Sequence, residues 1–174
     1  MKKFFPLLFF FIFCVTAKSQ HINFMGQPLG CNLETFTKQM LSKGFRHIGG
    51  DPNTYIDGTF GGDKVSIYSY KTPVSKIVYE VEVAYYKEKW MPDNEINSYF
   101  TNKKNLLVQS FMRKYGNPVE NIDSRTSWKV QGGSIEIYLN KSGWYYNAVK
   151  IKYSDNESKS KISSERKTMQ DDDY

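Results

Sequence analysis

Cysteine and histidine are both scarce in this chain, and their scarcity limits the chemistry that it can perform. The sequence contains two cysteines, Cys14 and Cys31, and two histidines, His21 and His47. A nucleophilic thiol or hydroxyl needs a base within reach, and a zinc site needs several ligands at short spacing. Neither pattern occurs, so we expect no catalytic residue, no metal site and no cofactor, and we predict a non-enzymatic role.

The chain also lacks an apolar run long enough to cross a bilayer. Its longest such run, Phe4–Val15, has about twelve residues, whereas a spanning helix needs roughly 20. Two lysines precede this run, and small residues follow it at Ala17 and Ser19, which is typical of a cleaved signal peptide. We therefore predict that residues 1–19 are a signal peptide and that the mature protein has no membrane span. Its expected location is the periplasm or the extracellular space.

A long stripe of one charge is missing as well. The chain carries 24 basic and 18 acidic residues, which gives a net charge of +6. Residues 1–19 include three of the lysines, so the mature protein has a net charge of about +3. Electrostatic binding of nucleic acid needs a concentrated basic surface, and we expect no nucleic-acid partner.

Aromatic and β-branched residues, by contrast, are plentiful and lie in short segments between glycines. Aromatic residues make up 16% of the chain, and such residues favour strands. The dipeptides Gly61-Gly62, Gly132-Gly133 and Ser142-Gly143 separate segments at the spacing of hairpin turns. The predicted strands are Phe45–Ile48, Tyr55–Phe60, Val65–Tyr70, Lys76–Tyr86, Thr126–Val130, Ser134–Leu139 and Tyr145–Tyr153.

One helix is predicted before these strands. Apolar residues fall on a single stripe from Leu33 to about Lys43, at the spacing of an amphipathic helix. Asn32 is the expected N-cap, since its side chain can accept from a free amide of the first turn. Gly44 is the expected stop, because glycine adopts the left-handed conformation of a helix C-cap.

A second helix is predicted between the two groups of strands. Its expected cap is Asp93 or Asn94, and it continues to about Tyr115. Gly116 followed closely by proline is a strong stop signal.

Residues 154–174 are polar and of mixed charge without an apolar period, so we predict a disordered polar tail there.

The order of these elements predicts the architecture. A helix followed by strands occurs twice, and we interpret residues 20–153 as one α+β domain made of two diverged αβββ units. A unit of this kind buries one face of its sheet under its helix. The two units are therefore expected to form one antiparallel sheet with both helices on one face.

Alternation along the strands assigns side chains to the two faces. In the strand before the second helix, Tyr79, Val81 and Val83 are expected to face the helices together with Ile77, and Val78 to face away. Tyrosine offers broad contact area at a small loss of rotamer freedom. We predict that the sheet face opposite the helices, the open face, binds a protein partner of the cell envelope. One alternative is that it binds a glycan or a small ligand. The other is that it is a solvated face of paired charges without a binding role. The predicted binding residues are Tyr68, Tyr70, Tyr138, Tyr146, Glu80, Glu82, Lys150 and Lys152.

A set of motifs recurs along the chain: Phe24-x-Gly26-x-Pro28-x-Gly30, then Leu33, Phe36 and Leu41, then Lys43-Gly44-Phe45, Gly58-Thr-Phe-Gly61, Val81-x-Val83, Trp90, Tyr115-Gly116-x-Pro118 and Trp128. Together they resemble a family of exported proteins from Bacteroides-type bacteria, and the resemblance covers most of residues 23–153. The resemblance implies export and the fold described above, without a role. The tandem αβββ order is also similar to the fold of the β-lactamase-inhibitor protein and of small outer-membrane assembly lipoproteins, which bind proteins through an open sheet face or its loops.

Overall fold

A computed structural model describes residues 20–48, 55–86, 92–142 and 145–171. The predicted signal peptide lies outside the described residues. Within them, no helix is both long and apolar enough to cross a bilayer. The helices are α1 (Leu33–Ser42), α2 (Asp93–Tyr115) and α3 (Asn156–Asp171). The strands are β1 (Asn23–Phe24), β2 (Gln27–Pro28), β3 (Arg46–His47), β4 (Tyr55–Phe60), β5 (Asp63–Lys71), β6 (Val78–Tyr85), β7 (Glu120–Ile122), β8 (Arg125–Val130), β9 (Gly133–Ser142) and β10 (Tyr145–Asp155).

Strands β3 to β10 form one sheet in the spatial order β3-β4-β5-β6-β10-β9-β8-β7, and all of its pairings are antiparallel. The strands that follow α1 make one half of the sheet, and the strands that follow α2 make the other. Strands β6 and β10 pair where the halves meet. The predicted α+β class with an antiparallel sheet is confirmed, whereas the descent of the halves from a repeated unit stays a prediction.

The core lies on one face of this sheet, beneath α1 and α2. Phe36 of α1 lies 6.2 Å from Phe24, and Phe24 lies 5.1 Å from Tyr153 of β10, ring centroid to ring centroid. Phe111 of α2 contacts the same Tyr153 at 6.4 Å. This aromatic chain joins both helices to the same side of the sheet.

The end signals predicted for α1 are confirmed. The side chain of Asn32 accepts from the Glu34 amide at 2.9 Å. Gly44 has a φ of +92°, and its amide donates to the Leu41 carbonyl at 3.0 Å while the Phe45 amide donates to the Met40 carbonyl at 3.2 Å. These two bonds form a Schellman motif, which glycine favours because it has no Cβ to clash.

The end predicted for α2 is confirmed, but its predicted cap is wrong, because Asp93 is already the first residue of the helix. The N-cap position is occupied by Pro92, and no side chain caps the helix. Proline suits this end of the helix because its fixed φ is close to helical and the amide it lacks would have had no partner. At the other end, Gly116 stops the helix and its amide donates to the Met112 carbonyl at 2.9 Å.

The prediction of a disordered tail is wrong for residues 156–171, which form α3. Only Ser158 is buried along this helix, so it has no apolar stripe that the sequence could have revealed. Contacts to other parts of the molecule hold it in place instead. Its first turn is capped by Asp155, whose carboxylate accepts from the Ser158 amide at 2.9 Å.

A bulge in β6 overturns part of the predicted assignment of faces. Tyr70 pairs with Glu80, but the next residue of β5, Lys71, pairs with Val78. Tyr79 is therefore an extra residue on β6, and the alternation reverses across it. As a result Val78 is fully buried, opposite to the prediction, and the Tyr79 ring lies 6.5 Å from that of Tyr70.

One predicted turn is displaced by a single residue. Val130 pairs with Gly133, so the two-residue turn between β8 and β9 is Gln131-Gly132 and Gly133 belongs to β9. The Gly61-Gly62 turn between β4 and β5 is confirmed by the pairing of Phe60 with Asp63. The predicted turn at Ser142-Gly143 falls partly outside the described residues.

Candidate binding face

The sheet face opposite α1 and α2, called the open face below, presents its side chains in rows that run across the strands. Such rows arise because residues paired across antiparallel strands point to the same side. The first row is Arg46, Asp57, Ser66, Ala84, Lys150, Tyr138 and Arg125. The second is Tyr55, Tyr68, Glu82, Lys152, Glu136, Ser127 and Glu120. The third is Tyr70, Glu80, Ser154, Ser134 and Lys129.

Seven of the eight predicted binding residues lie in these rows, and the side chain of Tyr146 lies outside the described part of the chain. Glu82 is at the centre and is only 5% exposed. One of its oxygens accepts from the Lys150 ammonium at 2.6 Å, and the other accepts from the Tyr138 hydroxyl. Burial and this bond to a carboxylate raise the pKa of Tyr138 above its usual value. Glu82 therefore holds its neighbours in position more than it presents a surface of its own.

The other predicted charges also have partners within the molecule. Glu80 accepts from the Ser154 hydroxyl at 2.8 Å, and the ammonium of Lys159 on α3 is 3.5 Å from the same carboxylate. The Lys152 ammonium lies 5.2 Å from the centre of the Tyr138 ring. Because Lys159 belongs to α3, this helix borders the open face at the end where β6 begins.

Five tyrosines gather on the β4–β6 part of the open face, and we call them the tyrosine patch: Tyr55, Tyr68, Tyr70, Tyr79 and Tyr86. The rings of Tyr55 and Tyr68 stack at 4.9 Å, and the Tyr68 and Tyr86 hydroxyls are 3.1 Å apart. Burial and the bond with Tyr86 raise the pKa of Tyr68, so its hydroxyl stays protonated. Tyr70 and Tyr86 remain 38% and 41% exposed.

Sequence reasoning missed three members of this patch. Tyr86 is an even number of residues away from Glu80 and Glu82, so alternation along the strand predicts that it faces the same side as they do. Tyr55 could be placed only once the register of β4 against β5 was known. Tyr79 could not be placed from alternation, because the bulge changes its side.

The Cys31 thiol and the His21 ring lie outside the open face, and their surroundings are those of structural side chains. Burial raises the pKa of the Cys31 thiol, which disfavours the nucleophilic thiolate. The His21 ring lies 3.0 Å from the buried carboxylate of Asp155. In the residues that the structure describes, no group of three or more histidine, cysteine, aspartate or glutamate side chains is arranged to hold a metal ion.

The open face therefore combines exposed tyrosine rings with a central group of charges, Glu80, Glu82, Lys150 and Lys152, that have partners within the molecule. It presents broad aromatic rings and hydroxyl groups on an antiparallel sheet. No protein-family model, no curated protein and no solved structure matches the chain.

Proposed function

We propose that this protein is an exported, non-enzymatic binding module that recognises a protein partner in the cell envelope through its open face. The observation that carries the proposal is the tyrosine patch, whose Tyr70 and Tyr86 rings are 38% and 41% exposed on a face that α1 and α2 leave uncovered. Tyrosine buries a large, stiff ring on binding and adds a hydroxyl that can hydrogen-bond.

The pairing of the neighbouring charges supports the same proposal. A partner that covers an unpaired charge must remove its water at a cost of several kcal/mol. Here Glu82 is paired with Lys150, and Glu80 is paired with Ser154 and Lys159. A partner can therefore cover the rings beside them without leaving a buried charge unpaired.

The tyrosine patch also contains a recess. A pocket of about 320 Å³ is lined by Tyr68, Tyr70 and Tyr79 together with Ser69 and Lys71. Interface hot spots form where one large side chain enters a pocket and is shielded from water. The recess fits an aromatic or aliphatic anchor side chain of the partner, and its ring edges and hydroxyls fit polar groups around that anchor.

A double substitution in the patch tests the proposal. In the variant Tyr70→Ser with Tyr79→Ser, two of the three rings that line the recess are removed while Glu82 and its partners are kept. We expect recovery of the partner from an envelope extract, measured by cross-linking and mass spectrometry, to fall at least tenfold. The matched control is Tyr99→Ser, which removes a ring of similar exposure (39%) from α2. Equal recovery with both variants, once thermal unfolding shows that each is folded, contradicts the proposal.

A further inference from the structure

The recess in the tyrosine patch lies between two pairs of aromatic rings. The rings of Tyr55 and Tyr68 stack at 4.9 Å with 23° between their planes, and those of Tyr70 and Tyr79 lie 6.5 Å apart at 40°. Tyr68 of the first pair and both rings of the second line the recess, whose volume is about 320 Å³. Grooves lined by aromatic rings in this way bind compact apolar side chains of extended peptides.

The hydroxyls of the second pair are available as hydrogen-bond donors. In the described part of the chain, no group forms a hydrogen bond with the hydroxyl of Tyr70 or Tyr79. Burial and the negative charges of Glu82 and Glu80 raise the pKa of Tyr70 above its usual value, and burial also raises the pKa of Tyr79. Both side chains therefore stay protonated and can donate to acceptors of a partner.

The carboxylates beside these rings, by contrast, are already occupied. Glu82 is almost inaccessible, and its carboxylate accepts from Lys150 and Tyr138. Glu80 accepts from Ser154, lies 3.5 Å from an ammonium of α3 and has a side chain that is 13% exposed. A ligand rich in donors, such as a sugar, would therefore bury some of them without an acceptor, which costs free energy. The complementary ligand has carbonyl oxygens and few N–H or O–H groups.

A proline-containing segment has this chemistry. Proline has no backbone N–H, but its carbonyl still accepts, and its ring fixes φ so that little conformational freedom is lost on binding. The polyproline II backbone forms no hydrogen bonds within itself, so its carbonyls are free to accept from the Tyr70 and Tyr79 hydroxyls.

A positive charge beside the recess defines the segment further. Arg166 of α3 is seven residues after Lys159, almost two helical turns, so both lie on the same side of the helix as Glu80, which is 3.5 Å from Lys159. The charge of Arg166 also opposes the rise in the pKa of Tyr79, as a nearby cation does. Arg166 is exposed and has no ion-pair partner in the described part of the chain, whereas the neighbouring Glu165 is bound to the turn before β6. An acidic residue of the partner complements this arginine.

We propose that the recess binds a proline of an extended, polyproline II segment of the partner, and that an acidic residue flanking this proline pairs with Arg166. The rings of Tyr68, Tyr70 and Tyr79 hold the proline, and the free hydroxyls donate to the carbonyls on either side of it. This inference rests on the function proposed above, since it names the chemistry of the partner at the same surface.

An array of synthetic peptides, probed with the full chain, tests the inference. Each peptide carries Pro-x-x-Pro with glutamate, glutamine or lysine at every flanking position, and a matched array has alanine in place of both prolines. We expect proline peptides to bind with a dissociation constant below about 1 mM, and their alanine counterparts to bind at least tenfold more weakly. Glutamate should be preferred over lysine at least tenfold at one flanking position. Equal binding of proline and alanine peptides, or silence of both arrays, overturns the inference.

A reversal of charge locates the acidic residue. In Arg166→Glu, the preference for glutamate at that position should change to a preference for lysine. Lys167→Glu is the matched control, because it makes the same change of charge at the next residue of α3, which is also exposed, and it should keep the original preference. A preference for glutamate that survives in the Arg166 variant contradicts the proposed pairing.

The double variant Tyr70→Ser with Tyr79→Ser separates this inference from the function on which it rests. It should lose binding to every proline peptide while thermal unfolding shows that it is folded. If it loses the envelope partner although no proline peptide binds the unsubstituted chain, the proposed function stands and this inference fails. If it keeps the envelope partner as well, both fail.

Discussion

At the scale of single residues, polar side chains that interrupt apolar patterns have specific partners. Lys103 lies in the apolar stripe of α2; its ammonium pairs with Asp63, the first residue of β5, and lies 5.0 Å from the centre of the Tyr85 ring. Lys104 is 4% exposed, and it donates to the Ile122 carbonyl at 3.1 Å. Burial lowers the pKa of Lys104. A sequence pattern counts both lysines as polar, so it underestimates how much of α2 packs against the sheet.

Asp155 is the most connected buried carboxylate among the described residues. It is inaccessible to solvent, and it accepts from the Ile22 amide at 3.2 Å, from the Ser158 amide at 2.9 Å and from the His21 ring. Burial opposes its ionisation, but the bonds from Ser158 and His21 outweigh burial and lower its pKa. One carboxylate thus ties the first described residues to the start of α3.

Asp155→Asn should destabilise the protein by about 2–4 kcal/mol at pH 7, because it weakens a helix cap and several bonds to a charged group. Since the folded pKa is below the unfolded value of about 3.9, the ionised carboxylate stabilises the fold above that pH. This stabilisation is lost as the pH falls through the unfolded pKa toward the folded one. Urea unfolding at pH 7, 5, 4 and 3 should therefore show a difference in the free energy of unfolding between wild type and variant. This difference should narrow only below about pH 4. The exposed Asp171→Asn is the control, and a gap of constant size would contradict the expectation.

At the scale of elements, α3 is held by its contacts to other parts of the molecule more than by its own sequence; besides the Lys159–Glu80 pair, two contacts stand out. Asp155 caps its start. In its middle, the Glu165 carboxylate accepts from the Val74 amide at 2.8 Å and from the Ser75 amide at 3.1 Å, and also from the Ser75 hydroxyl. These bonds, led by that of the Ser75 hydroxyl, lower the pKa of Glu165. The helix therefore bridges the end of β10 and the turn before β6.

Glu165→Ala should loosen the second half of α3 while the sheet stays folded. The substitution removes the contact to the turn but keeps the cap at Asp155, and helices without a packed stripe depend on such contacts. We expect amide hydrogen exchange in residues 163–171 to accelerate at least tenfold, with little change in β9 and β10. Ser163→Ala, an exposed change on the same helix, should leave exchange unaltered. Unchanged exchange in the Glu165 variant would mean that this contact does not hold α3.

The bulge in β6 is a second feature at this scale. By adding Tyr79 opposite the step from Tyr70 to Lys71, it buries Val78 and places another ring beside Tyr70. The recess between Tyr68, Tyr70 and Tyr79 depends on it. The recess in the open face thus depends on a β-bulge, which strict alternation along the strand does not predict.

At the scale of the whole molecule, one hydrophobic core spans both halves of the sheet. Ile67 pairs with Val83, Val83 with Ile151 and Ile151 with Ile137, and all four are fully buried. This line of side chains crosses the join between β6 and β10. Because no part of the line is exposed, we expect the two halves to unfold together.

Ile151→Ala should cost about 2–5 kcal/mol, since it leaves a cavity at the join of the two halves. The matched control is Val119→Ala, a truncation at a side chain that is 62% exposed, and it should cost less than about 0.5 kcal/mol. Urea unfolding should show one transition, with coincident loss of hydrogen-exchange protection in β5 and β9. Protection that survives in β5 after β9 has unfolded would show that the halves are independent.

The fold was largely predictable because its main elements follow local rules. Strand composition, the Asn32 cap and the glycines after α1 and α2 act within a few residues of the chain, and they led to the correct class and to most element positions. The open face was predicted in outline, as Tyr68, Tyr70 and Tyr138 do lie on it. The partners of these residues were not predictable, since strands far apart in the chain supply them.

The sequence by itself therefore determined the α+β class, the antiparallel sheet, the ends of α1 and the stop of α2, because turns and periodicity are local properties of the backbone. Only the tertiary structure decided that residues 156–171 form a helix, that Tyr79 changes face and that Tyr68, Tyr70 and Tyr79 line one recess. Each of these depends on register and burial between distant segments. Those quantities exist only once the strands have paired.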